Sequence, residues 1–195
     1  PFNMVTKMMR SLFCFILLGL ITTLPQTQLR AQSKSSLKPK QTRPQLTDEQ
    51  QIQQVRKKLK QRPDSATLHF KLGWLMQKKG FYKRAIASYE KAVQYNRNHA
   101  AAYVNLGNLA NRRKKSDKAR QYYEKAVSLA PKMEQAHYNY ATFLLKKENY
   151  KKALEHFNQT LQLDRKHKEA HVNVGTVHLT LFRQNWQKKH LQQAR

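Results

Sequence analysis

The chain has 195 residues, of which 39% are hydrophobic and only five are glycine, so it can build a helical domain with room for additional segments. Its formal net charge of +27 comes from 38 Lys and Arg against 11 Asp and Glu, which makes phosphates, acidic proteins and anionic lipid surfaces the candidate partners. The single cysteine, Cys14, excludes a disulfide within the chain and a zinc site built on cysteines.

The first 31 residues have the pattern of a targeting segment. Lys7 and Arg10 precede the run SLFCFILLGLITTL, whose roughly dozen apolar residues match a signal-peptide core and are short for a membrane span. We interpret residues 1–31 as a cleaved export signal or an uncleaved membrane anchor. A mitochondrial presequence is the third alternative, because no acidic residue precedes Asp48. The expected location is therefore the periplasm or the secretory pathway, or a membrane to which the chain is tethered, with the mitochondrion as the alternative.

A basic linker and an amphipathic helix follow. Residues 32–46 are polar, basic and contain proline, so they cannot bury enough apolar surface to fold and predict a flexible linker. Residues 47–62 predict a helix, because Thr47 and Gln50 have the spacing of a capping box and Pro63 stops the helix. Its apolar stripe at helical spacing consists of Ile52, Val55 and Leu59.

From residue 63 to residue 195 the sequence repeats with a period of 34 residues. The units span residues 66–99, 100–133 and 134–167, and a partial fourth unit spans residues 168–195. Apolar, small and aromatic residues return at fixed places in these units. The rows are Leu72, Leu106, Tyr140 and Val174; Gly73, Gly107, Ala141 and Gly175; Ala85, Ala119 and Ala153; Tyr89, Tyr123 and Phe157; and Ala92, Ala126 and Thr160.

Each unit predicts a pair of helices. In the second unit, residues 100–113 form the first helix and residues 117–129 the second, with Ser116 and Asp117 as the cap between them. Small residues, Gly175 among them, mark the places where two helices approach closely, and the large aromatics fill the adjoining gaps. One pair cannot bury its own apolar face, so we expect neighbouring units to stack.

This pattern resembles the tetratricopeptide repeat family. The period, the leucine–glycine pair, the two alanines, the aromatic and the closing Pro131 match that family's pattern, and the match is good over residues 66–167. In the fourth unit, Asn185 and Trp186 predict the start of the second helix two residues late, and alanine is missing, so this unit is either a capping variant or incomplete. The resemblance implies an all-α fold, a right-handed α-solenoid of helix-turn-helix repeats whose first helices line a concave groove.

The resemblance also implies where a ligand binds. Asn105, Asn139 and Asn173 recur in a slot that faces the groove in this family, and Lys71 occupies the slot in the first unit. Because an asparagine side chain both donates and accepts, such a row can hold the backbone of an extended peptide. The alternative is that these asparagines only brace adjacent repeats. The other predicted groove residues, a mixture that suits a segment of acidic character, are Trp74, Asn108, Arg112, Tyr138, Thr142 and Lys146.

The remaining histidine row and basic run predict core packing and a solvated turn rather than a metal or catalytic site. His69, His137 and His171 share a slot that the family fills with a ring between helices, so we expect core packing and no metal site. The basic run NRRKKSDK from Asn111 predicts a solvated turn, with binding to phosphate or to the lipid headgroups of an anionic membrane surface as its alternative. No nucleophile elbow, phosphate-cradling loop or paired carboxylate site is present, so we expect neither enzymatic activity nor a cofactor.

The sequence therefore predicts a non-enzymatic scaffold that binds an extended segment of a partner protein in the concave groove, in the assembly of an envelope or membrane complex. One alternative is a basic nucleic-acid-associated or organellar assembly factor, although no nucleic-acid-recognition signature supports it. The other alternative is an accessory repeat region of a larger enzyme.

Overall fold

The computed structural model describes residues 46–193, which form eight α-helices and no strand. The predicted targeting segment and all but the last residue of the predicted linker lie outside the described residues. Within residues 46–193, no helix is both long enough and apolar enough to cross a membrane. The helices are α1 (Asp48–Gln61), α2 (Ala66–Lys78), α3 (Tyr82–Tyr95), α4 (Ala100–Arg112), α5 (Ser116–Leu129), α6 (Glu134–Lys146), α7 (Tyr150–Leu163) and α8 (Lys168–Gln193).

Helix α1 begins with the predicted capping box. The Thr47 N–H donates to Gln50 Oε1 at 2.9 Å, and the Gln50 N–H donates to Thr47 Oγ1 at 3.3 Å. These reciprocal bonds satisfy two of the donors that a helix N-terminus leaves unpaired. The helix buries Ile52 and Val55 in the core shared with α2, and its remaining residues are mostly polar and exposed. The side of α1 that faces away from α2 is therefore polar.

Helices α2 to α7 form three helical hairpins at the predicted period. Helix α2 packs on α3, α4 on α5 and α6 on α7, and each hairpin packs on the next. The second unit's helices lie within one residue of their predicted bounds. Because each element contacts only its near neighbours along the chain, residues 46–193 form an all-α solenoid.

The turn inside each hairpin depends on one residue in the left-handed conformation. Gly80, Lys114 and Glu148 have φ values of 81°, 58° and 59° at equivalent places in the three units. The next residue closes the turn, because its N–H bonds to the carbonyl five residues earlier, as for Lys115 to Ala110 at 2.9 Å. In each hairpin, the left-handed residue and this main-chain hydrogen bond therefore end the first helix.

The predicted cap of α5 is wrong. The N-cap residue is Lys115, which makes no side-chain capping bond, and Ser116 is already the first helical residue. Because the turn closes at Lys115, the helix starts one residue earlier than the hydroxyl would require. Asp117 lies in the first turn, where its charge complements the helix dipole.

Close packing inside the first two hairpins depends on a glycine opposite a tyrosine ring. A Cβ placed on Gly73 or Gly107 would lie 2.7 Å from the ring of Tyr89 or Tyr123, respectively. The third hairpin has Ala141 opposite Phe157, and both are fully buried. The predicted close approach is therefore confirmed at Gly73 and Gly107. At Gly175 it is wrong, because no atom of the described residues lies within 4 Å of the added Cβ.

The fourth unit does not form a hairpin. Helix α8 runs without a break through Asn185 and Trp186, where the sequence predicted the start of a second helix. The place that carries the left-handed residue in the other units is occupied here by Phe182. A bulky aromatic pays a steric cost in that conformation, so the helix continues instead of turning.

Candidate functional site

The first helices of successive hairpins line a cavity of about 700 Å³. Its residues come from positions three and four apart on α2 and α4, because such positions share one helix face. Helix α6 contributes one residue to the same row, and α3 contributes one ring. The lining residues are Trp74, Gln77, Lys78, Tyr82, Asn108, Leu109, Asn111, Arg112 and Lys146.

Three cations meet at this groove, at positions separated by the repeat period. Lys78 Nζ lies 2.8 Å from Asp48 Oδ1, so α1 partly neutralises it. The Arg112 guanidinium lies 4.3 Å from the centre of the Tyr82 ring, a cation–π contact. Within residues 46–193, neither Arg112 nor Lys146 forms an ion pair, and both are exposed. The groove therefore presents positive charge that can pair with an anionic ligand.

An exposed ring and two amides accompany these cations. The Trp74 side chain is 47% exposed, and Lys78 Nζ lies 5.7 Å from the centre of its ring. Asn108 Oδ1 accepts a hydrogen bond from the Tyr123 hydroxyl at 2.7 Å, which fixes the amide and leaves its nitrogen to donate elsewhere. Asn111, one helical turn further on, is half-buried. The groove thus offers apolar surface, donors and acceptors next to its charges.

The asparagine row lies one helical turn before this cavity and does not line it. Lys71 is exposed, whereas Asn105, Asn139 and Asn173 are half-buried. Asn139 Nδ2 donates to the main-chain oxygen of Gln135 at 2.9 Å, within its own helix. In the part of the chain that the structure describes, none of these three amides bonds to a neighbouring repeat. Their role in ligand binding remains a prediction.

Two further predicted residues are engaged inside the array. The Tyr138 ring lies 4.5 Å from the His167 ring and 6.0 Å from the Phe157 ring, so it packs at the boundary between the third and fourth units. Thr142 is half-buried, and its Oγ1 donates to the Tyr138 main-chain oxygen at 2.9 Å. Neither lines the cavity. The predicted residues that the cavity brings together are Trp74, Asn108, Arg112 and Lys146.

Sequence reasoning missed the groove residues that flank these four. Gln77, Lys78 and Asn111 lie three or four positions from Trp74 and Asn108 on the same helices. The sequence did indicate Lys78, because it is a basic residue one repeat period before Arg112. Tyr82 could not be found in this way, since it belongs to a second helix.

The histidine slot is a packing site in two of its three predicted members. His69 and His137 are buried, and each Nε2 donates to a main-chain oxygen six residues earlier, Pro63 at 2.8 Å and Pro131 at 3.0 Å. His171 makes the equivalent bond at 3.0 Å but is exposed, so the prediction of core packing is wrong there. The reason is that, in the part of the chain that the structure describes, no second helix of the fourth unit covers it.

The ring of His156 contacts the buried ring of His137, and its pKa is lowered. The Nδ1 atoms of His137 and His156 lie 3.0 Å apart. Because His137 Nε2 donates to Pro131, its Nδ1 accepts in the neutral ring and His156 Nδ1 donates. Burial, followed by the charge of His137, lowers the pKa of His156. This contact joins α6 to α7. Among the described residues there is no cluster of three or more potential metal ligands.

Two family models match the chain. One is described as "Tetratricopeptide repeat" and matches residues 70–134. The other is described as "Cilia and flagella-associated protein 70 middle TPR-like domain" and matches residues 110–187. No curated protein matches the chain.

Several solved structures share the fold. MamA is 22% identical, with a TM-score of 0.62 over 68% of this chain and 78% of that one. The first TPR of Spaghetti (RPAP3), bound to the HSP90 peptide SRMEEVD, is 20% identical, with a TM-score of 0.58 over 60% and 93%. YrrB, described as a TPR protein with an unusual peptide-binding site, is 22% identical, with a TM-score of 0.57 over 68% and 69%. Such identities show the fold.

The helical hairpins at a period of 34, the small residues opposite rings and the two family models agree with one another. Two of the solved structures that share this fold are described as bound to a peptide or as having a peptide-binding site. Because the two family models together match residues 70–187, more than half of the sequence, the chain belongs to the tetratricopeptide repeat family.

Proposed function

We propose that the protein is a non-catalytic scaffold that binds an extended, acidic segment of a partner protein along the groove of its first helices. The observation that carries this proposal is the convergence of exposed Arg112 and Lys146, without ion-pair partners in residues 46–193, next to exposed Trp74. Charged groups at the rim of a site raise the capture rate of an oppositely charged partner.

Each group in the groove has a distinct part in this binding. Arg112 can bond a carboxylate through two parallel N–H groups, while Lys146 acts as a point charge. Asn108 and Asn111 can hold the main chain of the bound segment, because an amide both donates and accepts. The exposed ring of Trp74 offers apolar contact to one side chain of the ligand.

The asparagine row extends the same contact along the array. Asn105, Asn139 and Asn173 repeat at one pitch, next to the cavity. A ligand that extends beyond the cavity would meet them in succession, and Lys71 would meet one end of it. The peptide bound to the RPAP3 repeat contains three acidic residues in its printed sequence, SRMEEVD, which supports an acidic ligand for this fold.

We further propose that this scaffold works at a membrane, in the assembly of an envelope complex. The support is the basic and apolar pattern of residues 1–31, together with the net charge of +27, which suits an anionic membrane surface. If the segment is an export signal, mass analysis of the mature protein finds a new N-terminus between about Leu24 and Ser35. An intact N-terminus on a membrane-bound protein supports the anchor, and an intact one on a soluble protein contradicts both.

The groove proposal is tested with a fluorescently labelled, Asp- and Glu-rich peptide. Arg112→Ala and Lys146→Ala should each weaken binding about two- to fivefold at low salt, since an exposed ion pair contributes about 1 kcal/mol or less. The loss should shrink as salt rises, because it is electrostatic. The matched control is Lys125→Ala, which removes an exposed lysine of α5 outside the groove.

Three outcomes contradict the proposal. In the first, the peptide does not bind. In the second, Lys125→Ala weakens binding as much as the groove variants, which would mean that only the overall charge matters. In the third, single-stranded RNA binds more tightly than the peptide with a steep salt dependence, which would favour the nucleic-acid-associated alternative.

A further inference from the structure

Within residues 46–193, the outer side of α8 differs from the outer side of α1. Helix α1 turns a polar surface outwards, with Gln53, Arg56 and Lys57 exposed. Helix α8 instead exposes large apolar side chains at spacings of seven, three and four residues, which place them on one side of a helix. They are Val172, Leu179, Phe182 and Trp186, with exposed fractions of 68%, 72%, 69% and 55%.

The opposite side of α8 is already used. Ala170 and Val177 are fully buried, and Val174 and Leu181 pack against the same core. A helix that is apolar on two sides belongs between two layers of a stack. In residues 46–193 only one of these layers is present, so the outer face of α8, defined here by the four exposed side chains, lacks its neighbour.

The outer face contains a notch that fits a ring. In the first two hairpins, the glycine of this row contacts a tyrosine from the following helix, with Tyr89 over Gly73 and Tyr123 over Gly107. The same row continues to Gly175, where nothing lies within 4 Å of an added Cβ. The repeat pattern therefore predicts that a neighbouring helix places an aromatic ring against Gly175.

Helix α8 does not supply that neighbour by folding back on itself. Phe182 occupies the turn position, where the left-handed conformation is costly for an aromatic residue. Gln187 stands where the second helices of the other units have Ala85, Ala119 and Ala153, all fully buried. A longer side chain there would hold two backbones apart, so the close packing of the other hairpins cannot form.

The charges around the outer face favour an acidic neighbour over a second copy of this chain. Arg183 borders a pocket of about 590 Å³ formed with Leu179, Phe182, Trp186 and Gln187. Helix α8 has three lysines in addition and a single acid, Glu169. Two copies of α8 would bring like charges together, which is unfavourable. Head-to-tail stacking would place this face on the polar surface of α1.

We infer that the outer face of α8 is a second docking surface, which binds an amphipathic helix of a partner protein whose apolar side carries an aromatic ring and is flanked by Asp and Glu. The ring enters the notch at Gly175, and the acids pair with Arg183 and the neighbouring lysines. This helix packs on the outer face of α8, beside the fourth unit, while the groove binds an extended segment along its first helices.

The test uses the full chain and a labelled helical peptide that has one Phe on its apolar side and Glu on both flanks. We expect saturable binding, and at least about tenfold weaker binding after Phe182→Ala together with Trp186→Ala, because aromatic anchors dominate such interfaces. Gly175→Gln fills the notch with a side chain that fits open space, and it should weaken binding severalfold without loss of helicity. A twin peptide with Lys in place of Glu should bind at least about tenfold more weakly.

Two variants serve as controls. Leu163→Ala removes another exposed apolar side chain, from α7, and should leave peptide binding unchanged. Lys125→Ala removes an exposed lysine of α5 that lines neither surface, and it should also leave binding unchanged. Gly175, Phe182 and Trp186 lie outside the groove, so a failure of the groove proposal is distinguishable from a failure of this one.

The inference is overturned if the acidic peptide does not bind, or if Gly175→Gln has no effect and the Lys twin binds equally well. It is also overturned if sedimentation shows a dimer that Phe182→Ala abolishes, which would make a second copy the occupant. Binding to phosphatidylserine vesicles that Phe182→Ala abolishes and Gly175→Gln does not would identify a lipid surface instead, because a bilayer has no ring for the notch.

Discussion

The same substitution, glycine to alanine, should have opposite effects at two equivalent positions of the repeat. At Gly107 the new methyl group would lie 2.7 Å from Tyr123 Cε1 and 2.9 Å from Cδ1. At Gly175 the methyl group would enter open space. Both glycines lie inside helices, so both substitutions gain the same helix propensity, about 0.8–1.0 kcal/mol.

The cost at Gly107 follows from how firmly the tyrosine ring is held. Tyr123 is 2% exposed, and its hydroxyl donates to Asn108 Oδ1 at 2.7 Å. The ring centroids of Tyr140 and Phe143 lie 5.8 and 5.3 Å from its own. Because the ring cannot retreat, overpacking should cost about 2–3 kcal/mol, in the upper part of its usual range. After the propensity gain, Gly107→Ala should lose about 1–2 kcal/mol, whereas Gly175→Ala should gain up to about 1 kcal/mol.

Urea and thermal unfolding followed by circular dichroism measure both changes. In a domain of about 150 residues, each kcal/mol shifts the thermal midpoint by roughly 2–4 °C. Adding Tyr123→Phe to Gly107→Ala should recover part of the loss, because it frees the ring and reproduces the Ala141–Phe157 pair of the third hairpin. The reasoning is refuted if Gly107→Ala is as stable as the parent chain, or if the two alanine variants shift in the same direction.

Three further predictions follow from the packing and the groove. Ala119→Leu, at a fully buried position, should overpack the second hairpin and lower the free energy of unfolding by about 1–3 kcal/mol; an unchanged urea midpoint would contradict the assigned register. Replacing Asn105, Asn139 and Asn173 together by Ala should weaken binding of an acidic peptide at least about tenfold while the helicity stays the same. A lower melting midpoint with intact peptide affinity would show instead that these asparagines only brace the repeats. Burial and the neighbouring His137 lower the pKa of His156 below its usual 6.5, so the unfolded chain binds a proton on His156 more tightly than the folded chain does. The free energy of unfolding should therefore fall as the pH drops below about 6.5. His156→Gln should flatten this pH dependence in urea titrations, and an unaltered pH dependence would contradict the prediction.

The helices and their pairing could be predicted from the sequence because each hairpin is a local structure. The period brings Gly107 and Tyr123 to the same helical contact that Gly73 and Tyr89 make, so one pattern describes both. The capping box of α1 is equally local, since its two residues are three positions apart. The prediction of the α5 cap was wrong because the main-chain turn closes at Lys115, so Ser116 is already the first helical residue and does not cap the helix.

The groove was only partly accessible to the same reasoning. A row at the repeat period predicts that Arg112 and Lys146 lie on one face, and the cavity contains both. The period does not tell how much of each side chain the next unit covers. Tyr138 was expected in the groove, but its ring packs on His167 of the following unit.

In the first three units, the sequence by itself determined the paired helices and the contacts between small residues and rings, because these depend on residues close together in the chain and repeat at a fixed interval. The tertiary structure alone decided which charges are free and which faces are covered. Lys78 is paired because α1 brings Asp48 beside it from 30 residues earlier, whereas Arg112, in the same row, has no acid beside it in residues 46–193. Gly175 follows Gly107 in the same pattern but is open, because Phe182 keeps α8 straight and no second helix covers it within residues 46–193.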